Sequence, residues 1–430
     1  MVTIKLISMR GYITIADAAK EIGVSNDTIR RWEKKGLIKA TRNEHNYRVF
    51  NIDEIKRLYA KVTGNAQGKN RYKVLKAKDP SRYTSIDLFA GAGGTALGLE
   101  NAGFEHLMLN EFDKNAAETL RLNRPNWNVI EDDIANVDFR PYKGKVDLIE
   151  GGFPCQAFSY AGRKMGFEDT RGTLFYQFAR AVKEAEPKIV VGENVRGLLT
   201  HDGGRTLQTM VGILQELGYK VAAKVLRSQY LDVPQKRERL LIFGIRNDIK
   251  SHILFPKEKD YTISLAEALK NCPDSPGQEY SDYKKKIMKL IPPGGYWRDL
   301  PLNLQKEYMM TSFNMGGGKT GMARRLSWDE PSLTLTCNPA QKQTERCHPE
   351  HTRPLTVREY ARIQTFEDKW EFAGSITSQY KQIGNAVPVN LGYHVGTAVR
   401  TMLDYHHEAQ KFEVLEPQEK FIPQVQLAVA

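Results

Sequence analysis

A cysteine stands between a proline and a glutamine in GGFPCQAFS, residues 151–159, directly after the apolar run VDLIE. A thiol acts as a nucleophile only as its thiolate, which needs access, a lowered pKa and a nearby proton handler. Cys155 is thus either a nucleophile at the mouth of a strand or a packed core thiol. Glu193, Asn194 and Val195 end a second apolar run, KIVVGENV, and would expose a carboxyl group and an amide at a strand end. Arg237 and Arg239 stand at alternate positions in VPQKRERLLIFGIR, so in a strand both project to one face. A thiol, a carboxyl group and two guanidiniums can therefore converge. The bland alternatives are a solvated strand-terminal acid for Glu193 and a salt-bridged rim for the arginines.

DLFAGAGG, residues 87–94, puts glycines where a strand feeds a helix. Cofactors of nucleotide type need this, because small residues let the backbone approach the ligand and a helix N-terminus is electropositive. Glu111, in LNEFD, closes the expected second strand, where a carboxylate takes ribose hydroxyls. Asp133, in EDDI, closes the expected third, where it can accept from an adenine amine. Taken singly, each acid also reads as a helix cap.

These groups need a frame. From Tyr83 to Ile245 apolar runs and helical patterns alternate, which predicts a doubly wound α/β sheet over 83–245 with ligands at its carboxyl edge. Residues 246–352 loosen into sequence rich in Pro, Gly and Lys, and helical patterning returns over 353–404 before a tail, 405–430, that has no clear place. Cys337, Cys347, His348 and His351 do not have a usual zinc spacing, so no metal is expected. The four cysteines are scattered, which suggests no disulfide framework and a reducing cytoplasm. No run of about 18 apolar residues predicts a membrane span.

Charge is concentrated at one end. Residues 1–82 hold 19 Lys and Arg against 8 Asp and Glu, which is nearly all of the chain's net +12. A basic segment ahead of a near-neutral body suggests a polyanionic partner. Within it, ITIADAAKEIGVSNDTIRRWEKKGLI reads as two helices about a turn at Gly23, with Ser25 capping the second and Gly36 ending it. RNEHNYRVF then predicts a short wing, and Asp53 a third helix's cap. This spacing resembles the mercury-resistance-regulator (MerR) and excisionase type of winged helix-turn-helix over residues 1–63, with 64–82 a basic linker. If the module binds DNA, Asn26, Thr28, Arg30 and Arg31 face the major groove or its phosphates, and Arg42, His45 and Arg48 form the wing. The alternative is a small domain for protein docking. Those regulators usually add a long dimerising helix, absent here, and a monomer is expected.

The ordered series DLFAGAGG, Glu111, Asp133–Ile134, GGFPCQAFS, TLF (173–175), ENV, QKRER, RPLTVREYARIQTF (353–366) and QIGNAVP (382–388) resembles the cytosine-5 DNA methyltransferases from Tyr83 to Arg400. Phe112 stands where that family often has Trp, and Asp132 where Gly usually precedes the Asp–Ile pair. The resemblance implies a Rossmann-like catalytic domain using S-adenosylmethionine (product S-adenosylhomocysteine), with 246–352 as a smaller target-recognition domain. It implies Cys155 as nucleophile, Glu193 at ring nitrogen 3, Arg239 at the carbonyl oxygen, and Arg237 supporting loop or thiolate. Phe89, Ala92, Gly93, Glu111, Phe112, Asp133, Ile134, Pro154, Leu174, Asn385 and Val387 fall at its cofactor positions, and Arg324 and Arg325 are base-edge candidates. The partner implied is duplex DNA with a flipped-out cytosine, the setting a bacterial restriction–modification system, and the N-terminal module a second duplex contact or an operator-binding autoregulator. Two other classes stay open: a transcription regulator with an inactive methyltransferase body, and a tRNA methyltransferase sharing the motifs.

Overall fold

The computed structural model describes residues 11–43, 45–60, 62, 70–81, 83–154, 173–316 and 319–404, and the backbone of 412–415. Cys155 and the residues after it to 172, and residues 64–69 and 82 of the expected linker, lie outside the described residues.

The N-terminal module begins with β1 (Tyr12–Thr14), α1 (Ile15–Ile22) and α2 (Asn26–Lys34). Gly23 turns the chain between the helices at φ +68°, and its N–H reaches the carbonyls of Ala19 and Lys20, which satisfies the orphan acceptors of a helix end. Ser25 Oγ accepts from Thr28 N at 3.2 Å, the expected cap of α2. β2 (Thr41–Arg42) and β3 (Arg48–Asn51) make the wing, with β1 on the other side of β3. α3 (Ile52–Ala60) follows. Its cap is Asn51 rather than Asp53: Asn51 Oδ1 accepts from Asp53 N and Glu54 N at 2.9 and 3.1 Å. The cap thus stands two residues earlier than expected, and the helix begins at Ile52. Ala18, Ile29, Trp32, Phe50 and Ile55 form the small core.

The larger sheet is built from β4 (Thr84–Leu88), α4 (Gly94–Asn101), β5 (Glu105–Glu111), α5 (Lys114–Asn123), β6 (Val129–Glu131), β7 (Leu148–Gly151), α6 (Leu174–Ala185), β8 (Ile189–Val195), α7 (Arg205–Glu216), β9 (Tyr219–Arg227), β10 (Gln235–Lys236) and β11 (Glu238–Arg246). Seven strands lie in the order β6-β5-β4-β7-β8-β11-β9. β4 through β8 pair in parallel, and β11 enters antiparallel to both β8 and β9. The expected doubly wound sheet is present, with one reversed strand. The strand order turns around between β4 and β7, and in such sheets ligands bind outside the carboxyl ends at that point.

β12 (Ile253–Pro256) precedes a run of short elements: α8 (Leu265–Ala268), α9 (Asp282–Lys289), α10 (Leu302–Met309) and β13 (Ser332–Leu333). Tyr280, Ile287, Met288, Trp297, Tyr308, Met309 and Cys347 pack into a core of their own. The chain then returns through α11 (Val357–Ile363), α12 (Ile376–Asn385) and α13 (Val389–Asp404) to β14 (Phe412–Leu415), which pairs with β12. α13 meets α4 backbone to backbone. A Cβ on Gly98 would lie 2.5 Å from Val389 O and 2.7 Å from Gly392 Cα.

Two compact units result: Met1–Tyr72 with Ile263–Tyr360, and Lys73–Thr262 with Ala361–Ala430. The expected boundary at 245/246 moves to 262/263 because Ile253, Leu254 and Phe255 are buried in the same cluster as Leu391, Val399 and Met402. The N-terminal module belongs to the unit that holds 263–360. Among the described residues no helix is long and apolar enough to cross a membrane.

Candidate active site

A cleft of about 450 Å³ opens at the carboxyl ends of β4, β7 and β8, at the switch point of the sheet. Phe89, Ala92, Glu111, Pro154, Glu193, Arg237, Arg239, Asn385 and Val387 all line it. These residues lie far apart in sequence, and the parallel strand ends bring them together.

Glu193 is near the end of β8 and 9 % exposed. Its Oε1 lies 2.5 Å from Arg239 Nε, yet the two are not aligned as a hydrogen bond, and among the described residues Oε1 has no other donor. Burial raises the Glu193 carboxyl pKa, against the pull of Arg239 and Arg237. A carboxyl group held toward its acid form is suited to donate a proton. Arg239 lies two places along β11 from Leu241, the partner of Glu193. It therefore shares a sheet face with Glu193. Arg237, between β10 and β11, is 1 % exposed, and both of its Nη atoms donate to Gly384 O at 3.2 Å. It ties the end of α12 to the cleft floor, which fits a supporting role.

The approach to Cys155 is fixed by its neighbours. Phe153 is buried, with its ring 5.1 and 5.3 Å from those of Phe175 and Phe178. Asn194 Nδ2 donates to Phe153 O at 2.9 Å. A Cβ on Gly152 would lie 3.1 Å from Glu193 Oε2, so glycine there lets the carboxyl group sit against the strand exit. Position 154 thus leaves β7 beside Glu193, with Pro154 in the cleft wall.

Two further carboxyl groups line the cleft and escaped sequence reading. Asp87 and Glu150 are register partners on β4 and β7, 1 % and 2 % exposed. They hydrogen-bond to each other; burial raises Asp87 to about 8 and pushes Glu150 well above the usual carboxylate range. Acids inside otherwise apolar strands were the available signal, since such groups are rarely buried without a partner.

The other side of the cleft is a backbone cradle. Phe89, Gly91 and Gly93 hold φ of +60°, +55° and +84° as the chain turns from β4 into α4. Gly91 N donates to Glu111 Oε2 at 2.7 Å, and Asp113 N to Oε1 at 2.6 Å. Burial raises the Glu111 pKa while these N–H groups and that of Phe112 oppose the shift. A Cβ on Gly94 would lie 2.0 Å from Val387 O, so the helix start and the segment after α12 close on each other only with glycine. Gln364 Nε2 holds that segment by donating to Ile383 O and Ala386 O at 2.7 and 2.9 Å.

Several expected cofactor residues sit elsewhere. Gly93 does not line the cleft; a Cβ there would meet Leu120 at 2.7 Å and Trp370 at 3.1 Å, so it serves packing and the turn. Phe112 is 75 % exposed, Ile134 is buried in the core, and Leu174 starts α6. Asp133 caps the short helix Ile134–Asn136 through Ala135 N, the bland reading of that acid. Among the described residues none of these four lines the cleft.

The expected DNA contacts divide. Arg30, Arg42, His45 and Arg48 are exposed, and Asn26 is half-buried. Thr28 and Arg31 are not open: Thr28 is 1 % exposed, and Arg31 Nη2 donates to Asp329 Oδ1 at 2.6 Å and Ser327 Oγ at 3.3 Å. Arg325 is 3 % exposed and donates to the carbonyls of Met288, His348 and His351 at 2.7, 3.1 and 3.2 Å. Arg324 is largely buried, 3.8 Å from Glu330 and over the Tyr296 ring. The expectation that Thr28, Arg31 and Arg325 face DNA is corrected, since Thr28 is buried and both arginines donate inside their own unit; the Arg324 guanidinium is sheltered but has no hydrogen bond of its own among the described residues.

Known proteins share this architecture. Residues 83–401 match the family C-5 cytosine-specific DNA methylase, and residues 14–50 match the MerR family regulatory protein. The chain is 55 % identical over 403 residues to the type II methyltransferase M.Eco47II of Escherichia coli, covering 91 % of this chain and 96 % of that one. It is 53 % identical over 405 residues to the type II methyltransferase M.PspPI of a Psychrobacter species, covering 91 % and 97 %. Its fold matches a solved structure of a Spodoptera frugiperda DNMT2 mutant, with TM-score 0.54 at 15 % identity over 74 % of this chain and 99 % of that one. With the motif series, the cleft and these relatives agreeing, the chain belongs to the C-5 cytosine-specific DNA methylase family and is a DNA (cytosine-5-)-methyltransferase.

Proposed function

We propose that the protein methylates carbon 5 of a flipped-out cytosine within a specific duplex sequence, as the modification enzyme of a restriction–modification system. The observation that carries the reading is Glu193, buried beside Arg239 with its pKa raised, next to the strand exit that leads to Cys155. The type II methyltransferase names of the relatives support the restriction–modification setting.

The cytosine ring is a weak carbon nucleophile. In this reading the Cys155 thiolate bonds to carbon 6, and the ring electrons move toward nitrogen 3, where the Glu193 proton is delivered. Carbon 5 then carries enamine character. Arg239 holds the ring carbonyl oxygen, and Arg237 keeps the Gly384 segment against the floor. After methylation, loss of the carbon 5 proton to a base, return of the nitrogen 3 proton to Glu193 and expulsion of the thiolate restore the neutral aromatic ring. The attack uses both ring faces, so the base must leave the duplex at a cost of about a few kcal/mol.

The cradle fits S-adenosylmethionine: glycines at the β4–α4 turn, a carboxylate at the end of β5, and a gap that closes over Gly94 and Val387. Phe89, Ala92, Glu111, Pro154, Asn385 and Val387 would hold it. When bound, it supplies an electrophilic methyl group on a sulfonium.

Purified protein given labelled S-adenosylmethionine and duplex DNA is expected to label cytosine carbon 5. Cys155→Ala is expected to abolish transfer while leaving DNA binding. Transfer to tRNA alone, or undiminished transfer by Cys155→Ala, would sink the mechanism. Bisulfite sequencing of DNA from expressing cells gives the target sequence.

A further inference from the structure

The N-terminal module and residues 263–360 share one compact unit, and the contact between them is built on α2. Ser25 N donates to Pro293 O at 3.2 Å. Gly294 takes φ +78° beneath it, and a Cβ there would come within 2.6 Å of Thr28 Oγ1. Asp329 is the centre of the contact. Its Oδ1 accepts from Arg31 and its Oδ2 from Trp32 Nε1, both at 2.6 Å, while Arg31 Nη1 also reaches Glu330 Oε1 at 3.3 Å. The Arg31 and Asp329 side chains are 19 % and 5 % exposed. An ion pair so sheltered is not a surface accident, since each buried charge needs its partner to offset desolvation.

Beyond that contact the module is rich in exposed basic residues. From Lys34 to Arg48 the sequence carries five Lys and Arg against one acid, Glu44. Lys34, Lys35, Lys39, Arg42 and Arg48 are exposed, and Tyr47 beside them is 67 % exposed. Arg42 and Arg48 are direct partners across the β2–β3 ladder. Like charges directly opposite on a hairpin are locally destabilising. Arg48 is ion-paired with Glu33 and Arg42 donates to Asn46 O, so the repulsion is partly offset within the module, and a polyanion lying across the pair would offset the rest.

We propose that this module is a fixed arm of the 263–360 segment, and that its open wing grips backbone phosphates of the same duplex being methylated, beside the target. In this arrangement the module is not an independent reader of a separate operator. The face of α2 carrying Thr28 and Arg31 is spent on Asp329 and Gly294, and the wing supplies charge rather than base recognition. The inference rests on the reading of the chain as a duplex DNA methyltransferase whose 263–360 segment contacts the target.

Hydroxyl-radical footprinting tests it, using a duplex that carries the methylated sequence with about 20 base pairs on each side, roughly two helical turns. The full chain is expected to protect the target and a flank on one side. Arg42→Glu with Arg48→Glu, two exposed positions whose change leaves the module's core intact, is expected to lose the flank and keep the target. The slope of log Kd against log salt should fall by about 1.8, the loss of two phosphate contacts. A footprint that ends at the target, with an unchanged slope in the variant, overturns the proposal. So does protection of DNA upstream of the protein's own gene, lacking the target, that vanishes in the same variant. No protection of the target by the unaltered chain would instead refute the underlying methyltransferase reading.

Discussion

Replacing Glu150 by glutamine isolates the buried carboxyl pair beneath the cleft. In the native chain burial raises Asp87 to about 8 against the opposing hydrogen bond from Glu150, and burial together with the Asp87 charge pushes Glu150 well above the usual range. In the unfolded chain both are ordinary carboxyl groups that lose their protons near about pH 4. Between about pH 5 and 7.5 the folded state therefore holds protons that the unfolded state has released, so stability falls as pH rises, by about 1.4 kcal/mol per pH unit for each retained proton. Glu150→Gln removes one such proton from the balance. The variant should gain on the native protein by about 1.4 kcal/mol or more for every pH unit, or about 3 kcal/mol between pH 5.5 and 7.5. Urea unfolding followed by circular dichroism at three pH values measures this gap. A difference that stays constant across the range would refute the reasoning, for it would mean that Glu150 is ionised in the folded protein.

Three other outcomes follow from the same geometry. Glu193→Gln keeps shape but removes the transferable proton, so kcat should fall by about 10²–10⁴-fold. In the native enzyme the acid form is required, so activity should decline as pH rises through the raised Glu193 pKa, and pH–rate profiles should show that limb vanish in the variant. Gly94→Ala forces a methyl group against Val387 O, 2.0 Å from the ideal Cβ position; calorimetric titration should show S-adenosylmethionine affinity reduced at least about tenfold, a cost of about 1.4 kcal/mol. Arg325→Met strips buried carbonyls of their donor and should destabilise the unit by about 3 kcal/mol or more, read in a thermal melt. Unchanged stability with altered sequence preference would return Arg325 to the role of a base reader.

Much of the site was legible in the sequence because its chemistry follows strand ends. Glu193, Arg237 and Arg239 each leave an apolar run, and a parallel sheet gathers such ends at one edge. The glycine turn at 91–94 was legible for the same reason, since left-handed backbone and close approach select glycine. Asp133 and Phe112 do not line the cleft, and a residue's position after a strand does not say whether it turns inward or caps the next helix. The long-range errors have a different origin. Nothing in the spacing of Thr28 and Arg31 says that Asp329, some three hundred residues on, will claim that helix face. Arg325 looked like a base reader because exposed arginines are common, while one wrapped by three backbone carbonyls has no local signature.

The contact between α4 and α13 also bears on when the enzyme can exist. The cleft takes one wall from Phe89 and Ala92 and another from Asn385 and Val387, and Gly98 seats only against Val389 and Gly392. During synthesis, then, a nascent chain carries the turn, the carboxylates and Cys155 long before it carries the wall that confines a methyl donor. The protein stays incompetent on the ribosome until α13 has emerged, and a chain released early would hold the chemistry without the chamber. The same division marks a place to cut: two fragments parted ahead of α11 would each be silent, and activity would report their reunion.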